Sequence, residues 1–207
     1  MKRAVMALFV ALMLPGATMA QTLADSPHDF RTGGNNPSDP GGGEYKFSPT
    51  LCAACHAPHN PSNQADAGAG APLWNHAVTT GTYTVYTSTT RDATPEGLAT
   101  NMNPQSRLCL SCHDGTVNVD AFGGAAGANK IAAAGDLTTD LSDDHPVAID
   151  YTTAGAGLNA TPTLPLTGST DVDCATCHNV HDWTTADAGG FFLRMSRATI
   201  CQDCHNK

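Results

Sequence analysis

Cys52-Ala53-Ala54-Cys55-His56, Cys109-Leu110-Ser111-Cys112-His113, Cys174-Ala175-Thr176-Cys177-His178 and Cys201-Gln202-Asp203-Cys204-His205 hold all eight cysteines of the chain. Each is a C-x-x-C-H run, the pattern of covalent haem c attachment. The spacing has a mechanical reason. Two thiols add to the two vinyl groups of one porphyrin, and the next residue is then placed under the iron as its proximal ligand. Other chemistries use paired cysteines: a disulfide framework in an exported protein, a zinc ribbon, or a redox dithiol. None of these needs a histidine directly after every pair, and all four pairs have one. Zinc knuckles also set two pairs close together, whereas the first pairs here lie far apart. The reading is four covalent haems c, held by Cys52, Cys55, Cys109, Cys112, Cys174, Cys177, Cys201 and Cys204. His56, His113, His178 and His205 are their proximal ligands.

Composition agrees. Aromatic residues make up only 6% of the chain, and Gly, Ala, Thr, Asp, Asn and Pro crowd the segments between motifs. Side chains of this kind bury too little apolar surface to offset the conformational entropy of folding. Haems, as large flat apolar bodies, would supply the missing core. The expected fold is therefore mostly irregular coil wrapped around a haem stack, with helices of one or two turns at the attachment motifs. The best helix candidates are 105–113 and 195–205, and 83–87 alternates as a short strand does. Segments 33–43, 65–71, 123–135 and 152–170 read as loops.

The four motifs form a unit used twice. The first and third continue to a second histidine, Cys55-His56-Ala57-Pro58-His59 and Cys177-His178-Asn179-Val180-His181, and Ser106-Arg107 and Ser196-Arg197 precede the second and fourth. The paired copies run over about 50–116 and 172–207, with a long spacer in the first and a short one in the second.

What faces each iron opposite its proximal histidine separates a carrier from an enzyme. Five histidines remain for four distal positions: His28, His59, His76, His145 and His181. His59 and His181 lie too close in sequence to a proximal histidine to reach round the same haem, so each is expected to reach a neighbouring one. His145 sits in Asp143-Asp144-His145-Pro146, where the proline extends the chain and Asp144 could orient the ring. His28 stands in Ser26-Pro27-His28-Asp29-Phe30, also stiffened by proline. His76 follows Trp74-Asn75. If every haem is bis-histidine, one of the five is spare. Met102 and Met195 could serve as axial ligands, but with five histidines at hand they read as packing residues.

Residues 1–20 read as an export signal: Met1-Lys2-Arg3, an apolar run from Ala4 to Leu14, and small residues up to Ala20. That run is too short for a spanning helix, which needs about 20 residues. The mature tetrahaem domain is expected over 21–207, extracellular or periplasmic, with no membrane span. Without Lys2 and Arg3, eight Lys and Arg stand against nineteen Asp and Glu. Such an acidic chain repels nucleic acid and anionic membranes. Its partners are expected to be redox proteins with basic surfaces, or acceptors such as metal oxides. The last motif ends two residues before the end of the sequence, so its haem is expected to lack downstream cover.

A haem enzyme needs an open iron position, and this sequence offers more histidines than positions. Electron transfer is the main expectation. A small multihaem reductase is the rival, and a haem-storage role is a third reading.

The segments 26–30, 52–59, 72–76, 109–116, 144–146 and 174–181, taken together, resemble the doubled-CXXCH multihaem cytochromes. Size and order are most similar to the extracellular tetrahaem cytochromes of the OmcE type. The resemblance implies bis-histidine haems in a near-continuous stack. It also implies a homopolymeric filament in which a histidine of one subunit ligates a haem of the next. By that analogy His59 is the cross-subunit ligand. A monomeric periplasmic shuttle would use the same haems.

Overall fold

Regular structure is confined to short pieces set around the cysteine motifs, as the loop-rich composition requires. The computed structural model describes residues 23–63, 73–90, 94–95, 102–153, 155–183 and 191–206. The segment expected as an export signal, 1–20, and the loop expected over 65–71 lie outside them.

The longest element is helix α1, Pro104–His113, which carries the second motif. It starts where the sequence lets it. Pro104 has no N–H to leave unsatisfied, and the Asn103 side chain accepts from Gln105 N at 3.1 Å. It ends where Asp114 N donates to Leu110 O at 2.9 Å and Gly115 turns the chain at φ 67°. Helices α2, Cys174–Cys177, and α3, Ile200–Cys204, carry the third and fourth motifs. The first motif forms a hydrogen-bonded turn instead: Cys55 N and His56 N both donate to Cys52 O, at 3.1 and 2.8 Å. The helix expected over 195–205 covers only 200–204, because Ser196–Thr199 spends its hydroxyls on local bonds. Ser196 Oγ lies 2.8 Å from Thr199 Oγ1.

Strands are two residues each. The one expected at 83–87 is β1, Thr84–Val85, paired in parallel with β3, Asp140–Leu141. β2, Thr94–Pro95, and β5, Asp171–Val172, flank β4, Ile149–Asp150, antiparallel. A 3₁₀ turn, Tyr151–Thr153, follows β4.

The internal repeat is visible in the backbone. In the first copy Ala57 N donates to Leu73 O and Asn75 N to Cys55 O, so His56 bridges Trp74. In the second, Asn179 N donates to Phe192 O and Arg194 N to Cys177 O, so His178 bridges Leu193. Leu73 and Phe192 both hold positive φ, 59° and 55°. The spacers thus align on Leu73-Trp74-Asn75 and Phe192-Leu193-Arg194.

Among the described residues two small apolar clusters hold these pieces. Tyr83, Met102, Leu110, Leu141 and Ala148 pack behind α1, and Ile149, Tyr151 and Val172 pack with Leu158, Leu166 and Cys204 at the fourth motif. Met102 is a core residue, as the sequence suggested. No helix among the described residues is long and apolar enough to cross a membrane.

Candidate functional site

None of the eight cysteines is joined to another in a disulfide. Burial, and then Cys52, push Cys55 up to about 11, and burial also drives Cys112 well above the usual thiol range. A metal-binding or redox thiol needs the opposite shift, toward thiolate. Among the described residues no three His, Cys, Asp or Glu converge as a metal-ligand set. The cysteines do lie near one another across motifs. Cys55 feels Cys112, Cys109 and Cys174 are close enough to hydrogen bond, and Cys177 feels Cys204. The four motifs therefore follow one another in space in sequence order.

The histidines come in facing pairs. The ring of His113 lies 6.0 Å from that of His28, His56 lies 6.3 Å from His181, and His205 lies 6.4 Å from His145. Each pair joins one motif histidine to one histidine from outside the C-x-x-C-H runs. The separation is informative. An imidazole nitrogen binds a transition metal at about 2.0–2.1 Å, so two rings on opposite faces of one iron have centres about 6.3 Å apart. Three of the four motif histidines meet that spacing, which is the fit expected of residues that hold a haem between them.

Electrostatics and hydrogen bonding favour neutral rings with one nitrogen held in place. An imidazole binds metal in its neutral form, with the second nitrogen held by a carbonyl. Burial, then His113, His178 and His181, lower His28 to about 3. Desolvation lowers His145 and His181, with His205 and His56 adding to it. His113 Nδ1 donates to Gly135 O at 2.7 Å, His178 Nδ1 to Phe191 O at 2.7 Å, and His145 Nδ1 to Pro146 O at 3.0 Å. In each of these the Nε2 edge is left for a ligand.

The remaining three histidines differ. His76 is buried, with Nδ1 2.8 Å from Ala77 O and Nε2 3.1 Å from Asn118 O, so both ring nitrogens face backbone carbonyls. Cys112 Sγ lies 3.5 Å from the same Nε2. His59 is exposed. Neither His59 nor His178 has another histidine ring at the pair spacing among the described residues. Around His178 the surface is apolar: Phe191 is 52% exposed with the Arg197 guanidinium 4.7 Å above its ring, and Val180 is exposed as well.

Several site-shaping residues lie outside the C-x-x-C-H runs. Asp114, directly after His113, is buried and accepts from Thr79 Oγ1 and Tyr83 OH, both at 2.6 Å, and from Thr116 Oγ1 at 2.7 Å. This network fixes the exit of α1 and with it His113. The two Ser-Arg pairs do unlike work: Ser106 is buried inside α1, while Ser196 caps a turn before α3. The fourth motif is strapped by upstream chain. Asn159 Nδ2 donates to Gln202 O and Asp203 O, and Asp203 accepts from the backbone N–H groups of Thr163 and Leu164.

No protein-family model matches the chain, and no curated protein matches it either.

Proposed function

We propose that the chain is an exported tetrahaem c-type cytochrome that conducts electrons through four covalently held haems. The observation that carries the reading is the pairing of three motif histidines with three outside histidines at 6.0, 6.3 and 6.4 Å. Cys52 and Cys55 with His56 and His181 would hold the first haem. Cys109 and Cys112 with His113 and His28 would hold the second. Cys201 and Cys204 with His205 and His145 would hold the fourth. The third would be held by Cys174, Cys177 and His178. Haem supplies reversible one-electron chemistry at iron, with a potential set by axial ligands and surroundings. The protein's part is to keep the sites adjacent and in order, and to fill the axial positions so that substrates stay out.

The third site carries the assembly argument. Among the described residues His178 has no histidine ring at the pair spacing, and exposed His59 has no motif histidine at that spacing. A second copy that brings its His59 to His178, over the apolar surface of Phe191 and Val180, would complete both. Repeated head to tail, that heterologous contact builds a filament. His76 is then the spare histidine. The same open face favours one other reading, a small reductase that uses the third haem as its substrate site.

Electron microscopy and low-temperature paramagnetic resonance of the haem-loaded protein decide between them. Filaments with all haems low-spin, and a His59→Ala variant with dispersed particles and one high-spin haem in four, are the expected results. Normal filaments and fully six-coordinate haems in His59→Ala would remove His59 from the contact. A dispersed wild type whose third haem binds carbon monoxide would favour the enzyme.

A further inference from the structure

The two copies of the repeat meet where α1 packs on α2, and the contact is polar. Asn103 Nδ2 donates to Asp171 Oδ2 at 3.5 Å, Thr167 Oγ1 donates to Gln105 Oε1 at 3.1 Å, and Cys174 N donates to Ser106 Oγ at 3.3 Å. At the centre lies Asp173, only 1% exposed. Its Oδ1 accepts from Ser106 Oγ, while its Oδ2 is buried without a hydrogen-bond partner. It sits beside Cys174 and within electrostatic reach of Cys109, between the second and third attachment motifs. The groups that face it are Ser106 and Cys109 from α1, Asp171 from β5, Thr167 from the preceding turn, and Cys174 and Thr176 from α2. None is a cation.

The carboxylate belongs to the N-cap residue of α2, and one of its two oxygens is left without a partner. Burial pushes its pKa up, the hydroxyl bond from Ser106 pulls against that, and Asp171 adds a further push upward. An added negative charge nearby tips the balance toward the acid.

We propose that Asp173 is the proton-binding group that couples electron occupancy of the second and third sites to proton uptake. The proposal rests on the haem reading above. An electron delivered by a low-potential protein donor makes the local charge more negative by one. The Asp173 carboxylate takes one proton from solvent onto Oδ2, which cancels the change. When the electron passes to an acceptor, the proton returns to solvent. Linkage fixes the sign: if reduction raises the proton affinity of Asp173, the potentials of those two sites fall as pH rises through its titration.

The test is spectroscopic redox titration of the haem-loaded exported protein across the acid-to-neutral range. Two of the four potentials should fall with rising pH in the wild type, and Asp173→Asn should flatten them. Ser106→Ala removes a bond that favours the carboxylate, so it should move the sloping region to higher pH. Redox-difference infrared spectra give a second readout: a protonated-carboxyl stretch should appear on reduction in the wild type and in Ser106→Ala, and be missing in Asp173→Asn. If Asp173→Asn loads haem poorly, the wild-type and Ser106→Ala spectra still decide. An unchanged slope in haem-loaded Asp173→Asn, an unmoved window in Ser106→Ala, or a pH-independent wild type would overturn the proposal. A chain that acquires no haem would sink the underlying reading instead.

Discussion

At the residue scale, two positions next to the second motif show how far its geometry depends on non-motif chemistry. Asp114 gives buried Thr79 and Tyr83 their acceptor. Asp114→Ala removes the shortest bond of each hydroxyl and leaves only the longer ones, Tyr83 OH to Thr79 Oγ1 at 3.3 Å and Thr79 Oγ1 to Thr116 Oγ1 at 3.1 Å, at a cost of about 1–3 kcal/mol for each buried polar group left poorly paired. Thermal unfolding should register a large loss of stability, and the His113 site should load haem less completely. Gly115 turns the chain out of α1 at φ 67°, and a Cβ there would stand 2.6 Å from Asp136 Oδ2. Gly115→Ala should therefore destabilise by at least about 1–2 kcal/mol, the strain of a left-handed non-glycine residue. His76 makes the opposite case. Its ring nitrogens already face Ala77 O and Asn118 O, so His76→Ala should leave four six-coordinate haems, though it opens a cavity. A high-spin signal in that variant would return His76 to the ligand set. The sequence could not separate His76 from the other four candidates. Its neighbour on the Nε2 side, Asn118, is 42 residues away and gives no local cue.

At the scale of elements, the motifs were legible and their supports were not. The pattern C-x-x-C-H, the proline at the start of α1 and the doubled histidines are local features, so the expected helix at 105–113 is found over 104–113. The short strand at 84–85 was likewise foreseeable. The small sheets, the strap of 157–164 over the fourth motif and the alignment of Leu73 with Phe192 depend on contacts between distant segments. The strap comes from upstream chain and leaves Cys201 exposed. Three loops bring the outside histidines to their partners, and each can be tested alone. His28→Ala, His145→Ala and His181→Ala should each convert one of the four haems to high spin while the other three stay low-spin. Magnetic circular dichroism would read this directly. A variant that converts none would break the pairing assigned to it.

At the scale of the whole molecule, the two small apolar clusters do little to stabilise so long a chain, which fits a fold completed by its cofactors. Without haem the protein should melt early and be cut readily by protease, since unpartnered loops open at low free-energy cost. The excess of acidic residues sets how partners are met. Association with a basic redox protein or a positively charged oxide should weaken steeply as salt is raised. The central claim is that the eight cysteines and eight of the nine histidines are there to hold haem. The most direct test is the intact mass of the denatured, exported protein together with its visible spectrum. The account expects a mass increased by four haems that survives denaturation, with the spectrum of thioether-linked, bis-histidine haem. A mass equal to the polypeptide alone, or lowered by the hydrogens of disulfide formation, would contradict it.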